Sequence, residues 1–154
     1  MYHFIVRRKV AEIFRHLNEG DFAFVVSRFA PDAEHWFAGQ HALAGCRRTP
    51  AEIAAWYRRL ATVFPGICFT VRTVTVSGGP WNTRVVVEWA DSFPGGEALS
   101  DNQGVFVITL RWGKATRFHV YCDTQGLEVN LARLAAQGLA EASAPLIGVA
   151  EAFA

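Results

Sequence analysis

Apolar residues recur at helical spacing through the first part of the chain and at every second position through much of the rest. Val6, Val10, Ile13, Phe14 and Leu17 share one side of a helix, and Gly20 sits where that helix should stop. Asp21 is placed to cap a short second helix with Phe22, Val25, Val26 and Phe29 on its apolar side, ahead of Pro31. Thr49-Pro50-Ala51-Glu52 is a capping box with proline at the first helical position. The helix it opens carries Ile53, Trp56, Tyr57, Leu60, Val63 and Phe64 on one side, and Pro65-Gly66 ends it. The period then shortens. From Ile67 to Val76 the residues alternate, but Val74 and Val76 fall on the opposite parity from Ile67, Phe69 and Val71, which predicts a bulge in a curved strand. Gly78-Gly79-Pro80 reads as a turn. Strands are expected over Thr83–Asp91, Gln103–Trp112 and Ala115–Asp123, with Pro94-Gly95-Gly96 breaking the connection between the first two. Leu127–Ala140 is rich in Ala and Leu and reads as a helix. Helices followed by a run of antiparallel strands is an α+β pattern, and nothing in it calls for a parallel pair.

The last two strands carry the chemistry. Arg117, His119, Tyr121 and Asp123 alternate with Phe118, Val120 and Cys122. A two-residue turn at Trp112-Gly113 would pair Arg111 with Lys114, Leu110 with Ala115, Ile108 with Arg117, Phe106 with His119 and Asn102 with Asp123. Directly opposed residues share a face, so this register puts the polar quartet beside Phe106 and Ile108, and Val105, Val107, Phe118 and Val120 on the other side. A shift of one residue would reverse the assignment.

Composition narrows the field. Apolar residues are 51% and charged residues 19% of 154, which suits one folded domain with its own core. Twelve Phe and five Trp can fill that core or line an apolar ligand pocket. The net charge of +1 and the short, scattered basic pairs argue against nucleic acid as a partner. The three cysteines have no paired spacing, which fits a reducing cytoplasm. No signal-peptide pattern and no membrane-spanning run is present. His35 and His41 flank what reads as a loop and lack companions at zinc-ligand spacing, so no metal is expected. The sequence also lacks a glycine-rich dinucleotide motif and a P-loop, and no cofactor is expected.

With its opening helix pair ending in Phe29-Ala30-Pro31-Asp32-Ala33, with His41–Gly45 before the capped helix, and with Val85-Val86-Val87-Glu88-Trp89 and Asn102–Asp123, the chain resembles the nuclear transport factor 2-like superfamily. Within it the likeness is to SnoaL-like proteins, the group of polyketide cyclases and ketosteroid isomerase relatives, over roughly residues 3–135. The resemblance implies a cone: a strongly curved antiparallel sheet around about three N-terminal helices, with an interior apolar pocket. It also implies a homodimer through the outer sheet face. Residues 1–135 would form this domain and 136–154 an Ala-rich extension.

The resemblance removes some chemistries and retains another. The acid of ketosteroid isomerase-like proteins falls at Ile108, and their base near Trp36-Phe37, where no carboxylate stands. Limonene-epoxide hydrolase-like proteins need an arginine where this chain has Trp89, although Asp91 is retained. SnoaL-like cyclases place an acid/base aspartate at the end of the last strand, which Asp123-Thr124-Gln125-Gly126-Leu127 matches. The expected catalytic set is therefore Asp123, His119 and Tyr121, moving a proton on an apolar carbonyl compound. The expected lining is Trp36, Trp56, Trp89, Asp91, Asn102, Phe106 and Ile108. Asp123 can equally be a helix cap, His119 and Tyr121 ordinary strand residues, Asp91 a polar strand end, and the tryptophans core. A non-catalytic binding protein for an apolar metabolite and a protein-interaction module using the outer sheet face are the competing readings.

Overall fold

A computed structural model describes residues 1–94 and 99–150. Gly95 and Gly96, in the expected break, lie outside the described residues, as do the last four residues of the C-terminal segment.

The helices begin and end where the local chemistry directs. Helix α1 (Tyr2–Asn18) buries Val6, Val10, Phe14 and Leu17. Gly20, at φ +75°, turns the chain out of it. The Asp21 carboxylate accepts from the Phe24 amide at 3.1 Å and starts α2 (Phe22–Val26). Helix α3 (Pro50–Val63) has both arms of its capping box, Glu52 N to Thr49 Oγ1 and Thr49 N to Glu52 Oε2, each 3.2 Å. No helix among the described residues is long and apolar enough to cross a membrane.

Six strands form one open sheet in the order β2-β1-β6-β5-β4-β3. Strands β3 (Cys68–Gly79), β4 (Asn82–Ser92), β5 (Gln103–Arg111) and β6 (Lys114–Cys122) make the expected antiparallel meander. The slip predicted in β3 is present as a register shift between Val71 and Thr73. Two strands were not expected. β1 (Phe29–Phe37) and β2 (Gly45–Arg47) form a hairpin at the sheet edge, and β1 runs parallel to β6. The expectation of a purely antiparallel sheet is corrected at that one pair. Pro31 masks β1 in the sequence, because its burial alternates cleanly only from Ala33 to Phe37.

The β5–β6 hairpin departs from its expected register. Trp112 and Gly113 have φ +49° and +81°, as a tight two-residue turn requires. Arg111 pairs with Lys114 and Leu110 with Ala115 as anticipated. A bulge at Thr116 then slips β6 by one residue, so Thr109 faces Arg117, Ile108 faces Phe118, Val107 faces His119 and Phe106 faces Val120. Phe118 and Val120 therefore turn inward toward α1, and Arg117, His119 and Tyr121 turn outward. This reverses the anticipated faces of β6.

The core lies between α1, α3 and the inner sheet face. Phe106 is its hub, 4.9 Å from Phe118, 5.0 Å from Trp89 and 5.8 Å from Phe14 between ring centroids. Helix α4 (Thr124–Ala136) follows β6. The segment beyond it returns to the body: Arg59 holds Glu141 at 2.8 Å and the Pro145 carbonyl at 2.7 Å, and Val149 bridges Cys46 with bonds of 2.7 and 2.9 Å. That bridge covers the outer edge of β2. It needs glycine at position 148, where a Cβ would meet the Cys46 oxygen at 2.0 Å.

Candidate functional site

Where α1 crosses the hairpin end of the sheet, the inner face stays unfilled. A cavity of about 300 Å³ lies there, between α1, the α2–β1 junction, Tyr57 of α3 and the β5–β6 hairpin. Its walls are Val6, Val10, Phe14, Phe29, Phe106, Ile108, Leu110 and Phe118, with Trp112, 70% exposed, on the rim. The cavity exists because small Ala115 and Val85 face α1 at this level, whereas deeper in the cone Trp89 and Phe69 fill the space.

Few polar groups reach it. The Tyr57 side chain is buried against Phe22 and Trp56, and its hydroxyl makes no hydrogen bond among the described residues. Burial raises its pKa above the ordinary phenol value, so it is a neutral donor. Arg28, half-buried at the α2–β1 junction, also lines the wall. Its guanidinium carbon lies 4.1 Å from the centre of the Phe24 ring, and its Nε is buried without a partner. Tyr2 borders the cavity with its hydroxyl committed to Thr83 Oγ1. Lys9 and Glu12 border it from the exposed flank of α1.

Behind the wall sits a buried polar pair. His35, expected to flank a loop, is fully buried on β1, its ring stacked 5.3 Å from Phe118 and tilted 4.6 Å from Trp56. Arg47 Nε donates to His35 Nδ1 at 3.1 Å, which assigns the imidazole proton to Nε2. Burial, then the Arg47 charge, holds the His35 pKa well below its ordinary value, so the ring is neutral. Arg47 is itself fully buried and donates to the Ala44 carbonyl at 2.8 Å and the Leu43 carbonyl at 3.4 Å. Burial brings its pKa down to about 10, which leaves it charged at neutral pH.

The residues singled out in the sequence do not meet in this cavity. Phe106 and Ile108 line it. Trp56 and Trp89 are core, Trp56 donating to the Leu43 carbonyl at 2.8 Å. Trp36, His119 and Tyr121 lie on the outer face, with Trp36 5.2 Å from the His119 ring and 5.3 Å from Tyr121. There His119 Nε2 lies 2.7 Å from Glu34 Oε1, and Glu34 also pairs with Arg48 at 3.3 Å and Arg117 at 3.4 Å. Asp91, Asn102 and Asp123 gather at the far end of the meander. Asp91 Oδ1 accepts from the Asn102 amide at 2.7 Å, and Asn102 Nδ2 donates to the Asp123 carbonyl at 2.9 Å. The Asp123 carboxylate is exposed and caps α4 through the Gly126 amide at 3.1 Å. Cys122, pushed up to about 12 by burial and by Asp91 and Asp123, stays a thiol.

Sequence reasoning missed Arg28, Tyr57 and Glu34 as site residues. Arg28 sits between two short elements with no pattern of its own, and Tyr57 reads as one apolar position among six on α3. Glu34 was within reach through the alternation of Ala33, His35 and Phe37.

Comparison with known proteins gives a consistent picture. A family model described as a SnoaL-like domain matches residues 10–118. Among solved structures, an NTF2-like protein from Burkholderia thailandensis E264 is 21% identical with a TM-score of 0.63, the match covering 79% of this chain and 93% of that one. PrhC from Penicillium brasilianum NBRC 6234 is 12% identical with a TM-score of 0.68, over 85% and 88%. TerC, co-crystallised with polyporic acid, is 22% identical with a TM-score of 0.63, over 78% and 92%. These are likenesses of fold. No curated protein matches the sequence.

Proposed function

From the premise that the chain belongs to the SnoaL-like domain family, we propose that it binds a small, mostly apolar, ring-bearing molecule in the cavity beneath α1. The carrying observation is the cavity itself: about 300 Å³ of apolar, largely aromatic wall, bordered by Tyr57, whose hydroxyl makes no hydrogen bond among the described residues. That size and lining suit a ligand pocket, where few polar groups fix the orientation of an apolar body. The ligand would offer an oxygen to Tyr57 and stack its rings among Phe14, Phe29, Phe106 and Phe118. TerC, of the same fold, was co-crystallised with polyporic acid, which supports a small-molecule ligand for this fold.

Binding is the reading that the geometry supports best. Among the described residues, the cavity borders no imidazole, and its one carboxylate is the exposed Glu12 on the rim. Proton transfer by Asp123, His119 and Tyr121 finds less support, because they lie on the outer face and at the start of α4. The outer face, with half-buried Trp36, Val105 and Val107 and the exposed Tyr121, suits a second copy of the chain, and a homodimer through it is part of the proposal.

The test is a fluorescence titration with neutral N-phenyl-naphthylamine, which brightens on entering an apolar site. Wild-type protein is expected to bind it saturably. Ala115→Trp, which fills the cavity at a cost of ~1–3 kcal/mol in overpacking, should abolish binding while circular dichroism shows the fold intact. Undiminished binding by a folded Ala115→Trp variant would place the probe elsewhere and overturn the reading.

A further inference from the structure

The charge around the cavity carries as much information as its shape. Arg28 lines the wall with a buried Nε that has no partner, and its contact with Phe24 is through the ring face, which leaves the N–H donors of the guanidinium unspent. Arg47 is fully buried, and one of its terminal nitrogens, Nη2, has no partner. No ion pair among the described residues involves either arginine. Arg47 stands one ring layer behind the wall: His35, to which it is bonded, stacks on Phe118, and Phe118 faces the cavity. The His35 Nε2–H is a further buried donor without a partner. Lys9 adds a third cation at the rim, against the single acid Glu12.

A buried cation without a counter-ion is costly, and a protein normally pairs it or excludes it. Arg47 is such a cation; Arg28 is half-buried with its Nε out of water, and the apolar chamber in front of the two has no acid in its interior. We propose that the ligand of this cavity is a monoanion, an apolar ring-bearing acid whose charged oxygens accept from the Arg28 guanidinium. The acid is a carboxylate or a strongly acidic enol or phenol. It supplies the negative charge that the fold omits beside Arg28, and Arg47 favours the same charge from behind. Arg28 offers a planar fork to such a group, and charge-assisted bonds of this type are stronger than neutral ones. A neutral isostere gains the apolar contacts and forfeits the ionic ones. This inference rests on the cavity being the ligand site, as proposed above.

The test compares a naphthoate with the matching naphthamide, two probes of nearly equal shape that differ in charge, by isothermal titration calorimetry. On wild-type protein the naphthoate is expected to bind at least about tenfold more tightly. Arg28→Gln should remove that preference by weakening the naphthoate much more than the naphthamide. Circular dichroism reports that the variant is folded. Arg28→Lys, which keeps the charge and loses the fork, should retain part of the preference. Equal affinity of both probes for wild-type protein overturns the anion and leaves the cavity reading standing. Binding of neither probe overturns both, and a preference that survives Arg28→Gln overturns the assignment of Arg28.

Discussion

Replacing Asp91 with asparagine should stabilise the protein at neutral pH and do little in acid. Asp91 ends the row of inward residues on β4 and is 8% exposed. Burial pushes its pKa from 3.8 up to about 6; the Asn102 amide pulls the other way and Asp101 adds slightly to the rise. In the unfolded chain the carboxyl returns to its ordinary value. Between those two pH values the folded protein keeps a proton that the unfolded chain releases. Stability is therefore full below pH 3.8, falls as pH rises toward about 6, and is level above it. A displacement of that size corresponds to about 3 kcal/mol, which solvent at the strand end lowers toward ~2 kcal/mol. Asparagine keeps an oxygen for the 2.7 Å bond from the Asn102 amide and carries no charge. Urea unfolding at about pH 4 and about pH 8 measures the effect. Asp91→Asn should gain ~2 kcal/mol over wild type at the higher pH, and the two should lie within ~0.5 kcal/mol of each other at the lower. A variant destabilised equally at both values would refute the burial argument, since it would show the carboxylate to be held by partners rather than penalised by desolvation.

Two further outcomes separate structural from functional roles. Asp123→Ala should cost ~1 kcal/mol by uncapping α4, whereas Asp123→Asn should stay within a few tenths in thermal melts, because asparagine caps as well as aspartate; a large loss in Asp123→Asn would show that the charge itself matters. Val107→Arg, which sets a cation on the outer face beside His119 and near Arg117, should shift the proposed homodimer to monomer in light scattering while leaving N-phenyl-naphthylamine binding intact; an unchanged mass would remove that face as the interface.

Much of the fold is legible in the sequence because it follows from local rules. The caps at Asp21 and Thr49, the stop at Gly20 and the slip in β3 each rest on a few adjacent residues, and each is present. The missing strands rest on distant partners. β1 gains its identity from a parallel alignment with β6, some eighty residues away in sequence, and no local pattern announces that. The functional residues divide the same way. Phe106 and Ile108 belong to a long alternating strand and were found. Arg28 and Tyr57 acquire meaning only when α1, α3 and the hairpin tip close over one space.

The hairpin shows which rule wins when two conflict. The turn at Trp112-Gly113 fixes the first pairs and, if continued, would put Arg117 and His119 inside with Phe106 and Ile108, and Phe118 and Val120 outside. The apolar positions of the two strands match only with an offset of one. Exposing Phe118 and Val120 would forfeit ~1.5–3 kcal/mol of burial each, and Arg117 inside would add the desolvation of a charge. A bulge leaves one residue of the ladder unpaired, a loss nearer ~1 kcal/mol, and the Thr116 hydroxyl recovers part of it by bonding the Thr109 carbonyl at 3.2 Å. The bulge is thus the cheaper solution by several kcal/mol, and the mismatch that demands it is visible in the alternation of both strands. That single slipped residue also decides the chemistry. It moves an imidazole and a phenol to the outer face of the sheet, brings Phe118 to the cavity wall in front of His35 and Arg47, and leaves an apolar chamber with Arg28 in its wall and its one carboxylate, Glu12, on the rim.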